Sequence, residues 1–371
     1  MNVSLKRNEQ VTKIVNDWYH AMLQQQVLKA TNLKREIDEQ INILKKEENI
    51  EQQDQNLLLY YSLLDFRYKV LTDGLSITKD SFDIVESYDI PSDNLLNYYY
   101  HFFKAIHATL TTHYNEANEY YEKAEKLLKH VPDDIERAEF YYRFSAFFYY
   151  TTQPMNTIKY VSKVKEIFLK HTGYEISVAL SENLLGLTAI QIGEYAQAEE
   201  HLNSAINSLQ KQNDETLLLR VRHNLGWLYS SQNLSSLAIR HLSEVTTKMP
   251  THFKALFLQA REHHKLGETN IAEELVTKGL KICNEIENVK YIHHFTILKA
   301  LNNNVPVEEL EKIICEGITY FDTESLYNYT QEYAEKLAVK FYEENNYMKA
   351  SKYFYIGLQA KEKTFEKGAL K

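Results

Sequence analysis

Residues 193–205 read GEYAQAEEHLNSA, and residues 232–245 read QNLSSLAIRHLSEV. Aligned on Ala198 and Ala238, both carry a ring three positions on (His201, His241) and a modest residue seven positions on (Ala205, Val245). Positions i, i+3 and i+7 share one stripe of an α-helix. Each segment therefore reads as a helix whose small residues admit a close neighbour, with the ring filling the remaining gap. The pattern recurs at Ala117, Thr157, Ala272, Leu310 and Ala350, within YNEANEYYEKA (114–124), QPMNTIKYVSKV (153–164), GETNIAEELVTKG (267–279), VPVEELEKIICEG (305–317) and NNYMKASKYFYIG (345–357).

The preceding helices carry their own mark. Gly186 in ENLLGLTAI and Gly226 in HNLGWLYS each stand twelve residues before the small residue of the next helix. Around Ala238, Tyr229 and Pro250 complete the pattern L-G-x-x-Y…A…P. This resembles the tetratricopeptide repeat, with a period of about 40 residues in place of about 34. It covers roughly residues 95–365 in seven copies. Such hairpins stack into a right-handed superhelix lined on its concave side by the first helix of each pair. The 28 tyrosines suit inter-repeat packing, being large, stiff and amphipathic.

Composition agrees with an all-α chain. Only 10 Gly and 5 Pro punctuate 371 residues, 44% of them hydrophobic, which favours long helices over a turn-rich β fold. The formal charge of −9 comes without a basic block, so phosphate-backbone binding is not expected and protein or peptide partners are. Cys283 and Cys315 have neither metal spacing nor a disulfide framework and read as free thiols in a reducing compartment. The chain starts without an apolar signal core, and no stretch reaches the length of a membrane span. A cytoplasmic protein with no membrane association is expected.

Residues 5–72 do not carry the repeat. They read as three helices, about 6–25, 29–48 and 51–72, and residues 73–93 read as a connector with a short helix. The expected organisation is a three-helix bundle (1–72), a hinge (73–93) and a repeat domain (94–371) of about seven helical hairpins. On the third helix Leu57, Tyr61, Leu64, Tyr68 and Leu71 form one apolar stripe. Gln55, Leu58, Ser62, Phe66 and Lys69 fall opposite. That second side is either buried as well or a partner-binding surface with an amide at its edge.

DQNLLLYYSLLDFRY (54–68) and NDWYHAM (16–22), followed by the helical repeats, resemble the Rap family of Bacillus over essentially the whole chain. The resemblance implies a quorum-sensing regulator. Its N-terminal bundle would dock on a response regulator and promote hydrolysis of the regulator's aspartyl phosphate. A short Phr-type peptide, held in the repeat domain, would inhibit it. Carried over by motif, Gln55 is the catalytic residue, and Asp54, Leu58 and Phe66 serve docking. The resemblance also admits a non-catalytic alternative, sequestration of a regulator's DNA-binding domain. No cofactor of its own is implied, since a divalent metal such as Mg would sit on the partner regulator.

For the peptide, the resemblance points to Asn224 in RHNLGW, whose amide offers donor and acceptor together to an extended backbone. Asn183 in ENLLG is a further candidate. Read without the resemblance, Asn224 is an amide bridging adjacent helices. The resemblance places an acidic residue where this chain has Gln191, and a neutral amide cannot make the same charge-assisted bond to a basic peptide side chain. The histidine pairs His263–His264 and His293–His294 are adjacent and diverge by about 100° on a helix, the wrong geometry for chelation. No nucleotide-loop or serine-hydrolase motif is present.

Overall fold

Seven left-handed residues mark the hairpin turns: Thr112 (φ 67), Thr152 (58), Gly193 (82), Asn233 (58), Gly267 (75), Asn304 (48) and Asn345 (62). Asn and Gly accept this conformation at least cost; the β-branched Thr112 and Thr152 are unusual there. The computed structural model describes residues 9–44, 52–89 and 93–368, with side chains described over 11–43, 55–89 and 93–366. Among the described residues every regular element is helical.

The N-terminal helices are α1 (Glu9–Leu23), α2 (Val27–Leu44) and α3 (Gln52–Asp73), followed by a 3-10 turn (Lys79–Phe82) and the single turn α4 (Asp83–Glu86). Then come α5 (Asn94–Leu110), α6 (Tyr114–Leu127), α7 (Asp134–Tyr150), α8 (Pro154–Leu169), α9 (Glu175–Gln191), α10 (Tyr195–Gln212) and α11 (Glu215–Ser231). The remainder are α12 (Ser235–Lys248), α13 (Phe253–Lys265), α14 (Thr269–Glu285), α15 (Val289–Asn302), α16 (Val307–Thr323), α17 (Tyr327–Glu343) and α18 (Tyr347–Gly368). The aligned repeat segments lie on α6, α8, α10, α12, α14, α16 and α18.

Close approach explains their small residues. Ala117, Thr157, Ala198, Ala238 and Ala272 are fully buried. A Cβ on Gly226 would stand 2.6 Å from Leu242 Cγ, and one on Gly186 2.8 Å from Leu202 Cγ. These first helices therefore touch their partners through bare backbone.

The expectation for the large residue needs correction. The ring three positions on is half-buried in Tyr120, Tyr160, His201 and His241. The residue four positions on is the buried one: Tyr121, Val161, Leu202, Leu242, Val276 and Ile314. Both offsets border the stripe from opposite sides, and the partner helix covers the +4 side. Only in α18 is the order reversed, with Tyr353 buried and Phe354 exposed.

By compactness the chain forms two units, residues 1–144 with 163–178, and residues 145–162 with 179–371. In the first unit α1–α3 pack on one another and α3 packs on α5. The core there is aromatic: the Tyr19 ring meets Tyr99 edge-on at 5.5 Å, and Tyr60 lies 5.6 Å from Tyr99. The 73–93 connector contributes to that core. Phe82 is fully buried, stacked 5.4 Å from His107 and edge-on to Phe66 at 5.0 Å. His107 Nε2 also lies 3.0 Å from the Thr78 carbonyl oxygen. In the second unit each helix from α10 to α18 packs on the next, and the first helices α11, α13 and α15 lie side by side.

Candidate functional site

Two places bring together residues singled out from the sequence. The first is the start of α3. Gln55 sits in its first turn and is exposed, whereas Leu57 to Tyr60, the next turn, is buried. The amide is thus held on a rigid helix at the point where the core begins. The helix is fixed by α2 through a charged network: Tyr61 OH donates to Asp38 Oδ1 at 2.5 Å, and Lys34 Nζ lies 2.9 Å from Asp38 Oδ1 and 2.8 Å from Asp65 Oδ1. Asp65 and Asp38 overcome the burial of Lys34 and raise its pKa. Trp18 of α1 closes the same seam against Tyr61 and Tyr68.

The docking roles given to Leu58 and Phe66 are corrected by their burial: Leu58 is 4% exposed and Phe66 2%. Phe66 faces Phe82 and His107, so in this arrangement α3 is apolar on both sides because both sides are covered. The Asp54 side chain lies outside the described residues.

Beneath α3, Arg67 is fully buried and donates from Nη2 to Glu139 Oε1 at 2.7 Å, while Arg143 Nε donates to the same oxygen at 2.9 Å. Burial alone would raise the Glu139 pKa, but Arg143 and Arg67 together hold it below the ordinary carboxylate value.

The second place lies on α9 and α11 of the second unit. Asn224 on α11 donates from Nδ2 to Asn183 Oδ1 on α9 at 2.6 Å, and Asn224 is buried. The two amides are therefore one feature, linking neighbouring first helices. Gln191, at the end of α9, donates from Nε2 to the Tyr149 carbonyl oxygen at 3.0 Å, and its buried Oε1 has no hydrogen-bond partner among the described residues. The Tyr149 ring in turn meets Trp227 of α11 edge-on at 6.3 Å. Thr152 Oγ1, in the α7–α8 turn, donates to Asn328 Oδ1 on α17 at 3.2 Å, tying elements 176 residues apart. The Gln191 amide thus sits beside the Tyr149–Trp227 ring contact.

Sequence reasoning missed Lys254 and Lys290, which join these aromatics. Lys254 Nζ lies over the Tyr150 ring at 5.2 Å and Lys290 Nζ over Tyr329 at 4.6 Å. The available signal was register: each is the second residue of an inner helix, α13 or α15.

The histidines are engaged elsewhere. His263 Nδ1 lies 2.5 Å from Glu268 Oε2, His264 Nδ1 3.2 Å from Asn302 Oδ1, and His294 Nδ1 2.6 Å from Tyr333 OH. Among the described residues no three His, Cys, Asp or Glu side chains converge on a metal position. Burial pushes the Cys283 thiol up to about 12. No described helix is long and apolar enough to cross a membrane.

Comparison with known proteins adds to this geometry. Residues 5–73 match the family described as response regulator aspartate phosphatase H, N terminal, and residues 176–251 match the tetratricopeptide repeat. The regulatory protein RapF of Bacillus subtilis (strain 168) is 27% identical over 360 residues, covering 92% of this chain and 91% of that protein. Response regulator aspartate phosphatase I of the same organism is 26% identical over 366 residues, covering 95% and 91%. The crystal structure of a Rap protein complexed with competence and sporulation factor superposes with a TM-score of 0.79 at 23% identity, covering 97% of this chain and 99% of that one.

Proposed function

The chain belongs to the Rap family, and from that membership we propose that it regulates a bacterial response regulator by hastening loss of its aspartyl phosphate, under inhibition by a short signalling peptide. The observation that carries the proposal is Gln55, exposed in the first turn of α3 within the region matched to the phosphatase N-terminal family.

The chemistry asks little of such a helper. An aspartyl phosphate is an acyl phosphate, already reactive and held by a divalent metal on the regulator. Its hydrolysis mainly needs a water in line with the leaving carboxylate. A side-chain amide offers a donor and an acceptor without ionising, and so can orient that water, as a glutamine does in GTPases. Supplying neither metal nor nucleophile, the chain would need no cofactor of its own.

In this reading the peptide would bind the second unit through Asn224, Asn183 and Gln191. The amide pair suits an extended backbone, and the unpartnered Gln191 Oε1 suits a peptide N–H. Peptide that binds one arrangement of the chain better than another would shift the population toward it. A hinge movement in 73–93 has to unpack Phe82 from Phe66 and His107, which sets a cost on the switch.

The alternative, stoichiometric sequestration of a regulator's DNA-binding domain, is kept alive by the names of the relatives, which divide between "regulatory protein" and "response regulator aspartate phosphatase". Substoichiometric protein separates the two. Under the proposal it clears phosphate from an excess of regulator, whereas a sequestering protein releases regulator from DNA only at equimolar amounts and leaves the phosphate in place.

A further inference from the structure

The last described helix, α18, carries two apolar faces. One is buried against α17: Ala350, Tyr353, Gly357 and Ala360 lie on it, and the Tyr353 ring stacks 5.8 Å from Phe341. The other lies about 100° further round the helix. There Tyr347, Phe354, Leu358 and Phe365 form one line, with Met348 and Tyr355 along its edge, and all six are exposed. Tyr342 of α17 extends the face, its ring meeting Tyr347 at 5.4 Å.

The repeat explains why this face is bare. Four positions past the small residue, Leu202, Leu242, Val276 and Ile314 are fully buried, each on a helix that another helix of the stack follows. Their counterpart in α18, Phe354, is 47% exposed, with no further helix among the described residues. The closing repeat of a solenoid ordinarily turns a polar face outward. Here it turns out rings. Five rings, between 47% and 81% exposed, offer about 600 Å² at about 200 Å² a ring. That matches the largest apolar patches of ordinary monomers, and Met348 and Leu358 bring it toward the roughly 800 Å² that each partner of a stable complex buries.

The spacing of the line names the occupant. From Tyr347 to Phe354 is seven residues, from there to Leu358 four, and from there to Phe365 seven. The order reads the same in both directions about Ile356. Laid antiparallel on itself, the helix sets Tyr347 opposite Phe365 and Phe354 opposite Leu358, each contact made twice. Lys361, which borders the line, falls opposite Ser351 and not opposite another cation. An isologous contact needs this self-complementarity, whereas docking of a different protein does not. We infer that a second copy of this chain covers the face, α18 against α18 about a twofold axis at Ile356, and that the protein is a dimer.

Sedimentation velocity on the purified full chain, from about 1 to 100 µM, tests this. Wild type is compared with Tyr347→Glu, Phe365→Lys and the double variant. Both positions are exposed, and each new charge suits its end of the helix dipole, so the fold is retained; circular dichroism checks this. Wild type is expected to dimerise within the range. Each single change enters the interface twice and is expected to weaken the dimer at least about tenfold. In the double variant the new charges face each other across the axis, and affinity is expected to recover about fivefold over either single variant. A wild type that stays monomeric to about 100 µM overturns the inference and leaves the face to a different partner. A dimer unmoved by both single changes overturns it too, because the contact then lies elsewhere. A double variant no tighter than the single ones overturns the antiparallel pairing on which the inference stands.

Discussion

Asn224 and Asn183 form a direct amide-to-amide hydrogen bond, Nδ2 to Oδ1 at 2.6 Å, between α11 and α9. The contact bridges adjacent helices, which is one of the two readings available from the sequence. Asn224→Ala is expected to remove peptide binding while lowering stability by only about 1 kcal/mol, the net worth of one such bond. Calorimetric titration and a urea melt on the same protein check this. A variant that binds peptide normally would reduce the pair to a structural bridge.

Arg67, Glu139 and Arg143 give a prediction with a pH sign. The folded Glu139 pKa is depressed by the two guanidinium groups. Its contribution to stability is therefore present above the unfolded carboxyl pKa and is lost as pH falls through the lower folded value. Glu139→Gln should flatten the acid limb of the stability curve below about pH 4.5. At neutral pH it should cost about 3–5 kcal/mol, because it strands a buried Arg67. Urea melts from pH 7 to pH 3 read both effects.

Phe66→Ala should destabilise the first unit by about 3–5 kcal/mol, the cost of emptying a buried aromatic site. A pure docking residue would instead leave the melting midpoint unchanged and weaken only partner binding. Differential scanning calorimetry distinguishes these outcomes.

Gly226→Ala places a Cβ 2.6 Å from Leu242 Cγ. Overpacking of about 1–3 kcal/mol should exceed the roughly 1 kcal/mol gained in helix propensity. Pairing it with Leu242→Ala should restore part of the loss relative to the sum of the two single changes. Additive losses in chemical denaturation would mean that the helices separate instead of clashing.

The repeat was legible because its small residues recur: Ala198, Ala238 and Gly226 stand where helices approach closely. The buried position was misplaced by one residue because offsets of three and four flank the stripe almost equally, and only the partner helix chooses between them. Gln55 was legible as an exposed helix start. The fate of Leu58 and Phe66 was not, because it depends on Phe82 and His107, which reach α3 from a connector and from α5 with no periodic signal. Lys254 and Lys290 were passed over because each alone reads as an ordinary surface lysine; only the packing of the helices sets them over Tyr150 and Tyr329.

The claim on which the rest depends is that the Gln55 amide acts on a partner's phosphate, and its most direct measurement is the decay of a phosphorylated response regulator with substoichiometric protein. Wild type should accelerate the loss of label. Gln55→Ala should reduce that acceleration about 100-fold, the scale of losing one positioned group in a transition state. Gln55→Asn, too short by one methylene, should fall close to the alanine variant, with regulator binding and melting midpoint unchanged in both. Decay as fast with Gln55→Ala as with wild type would contradict the assignment.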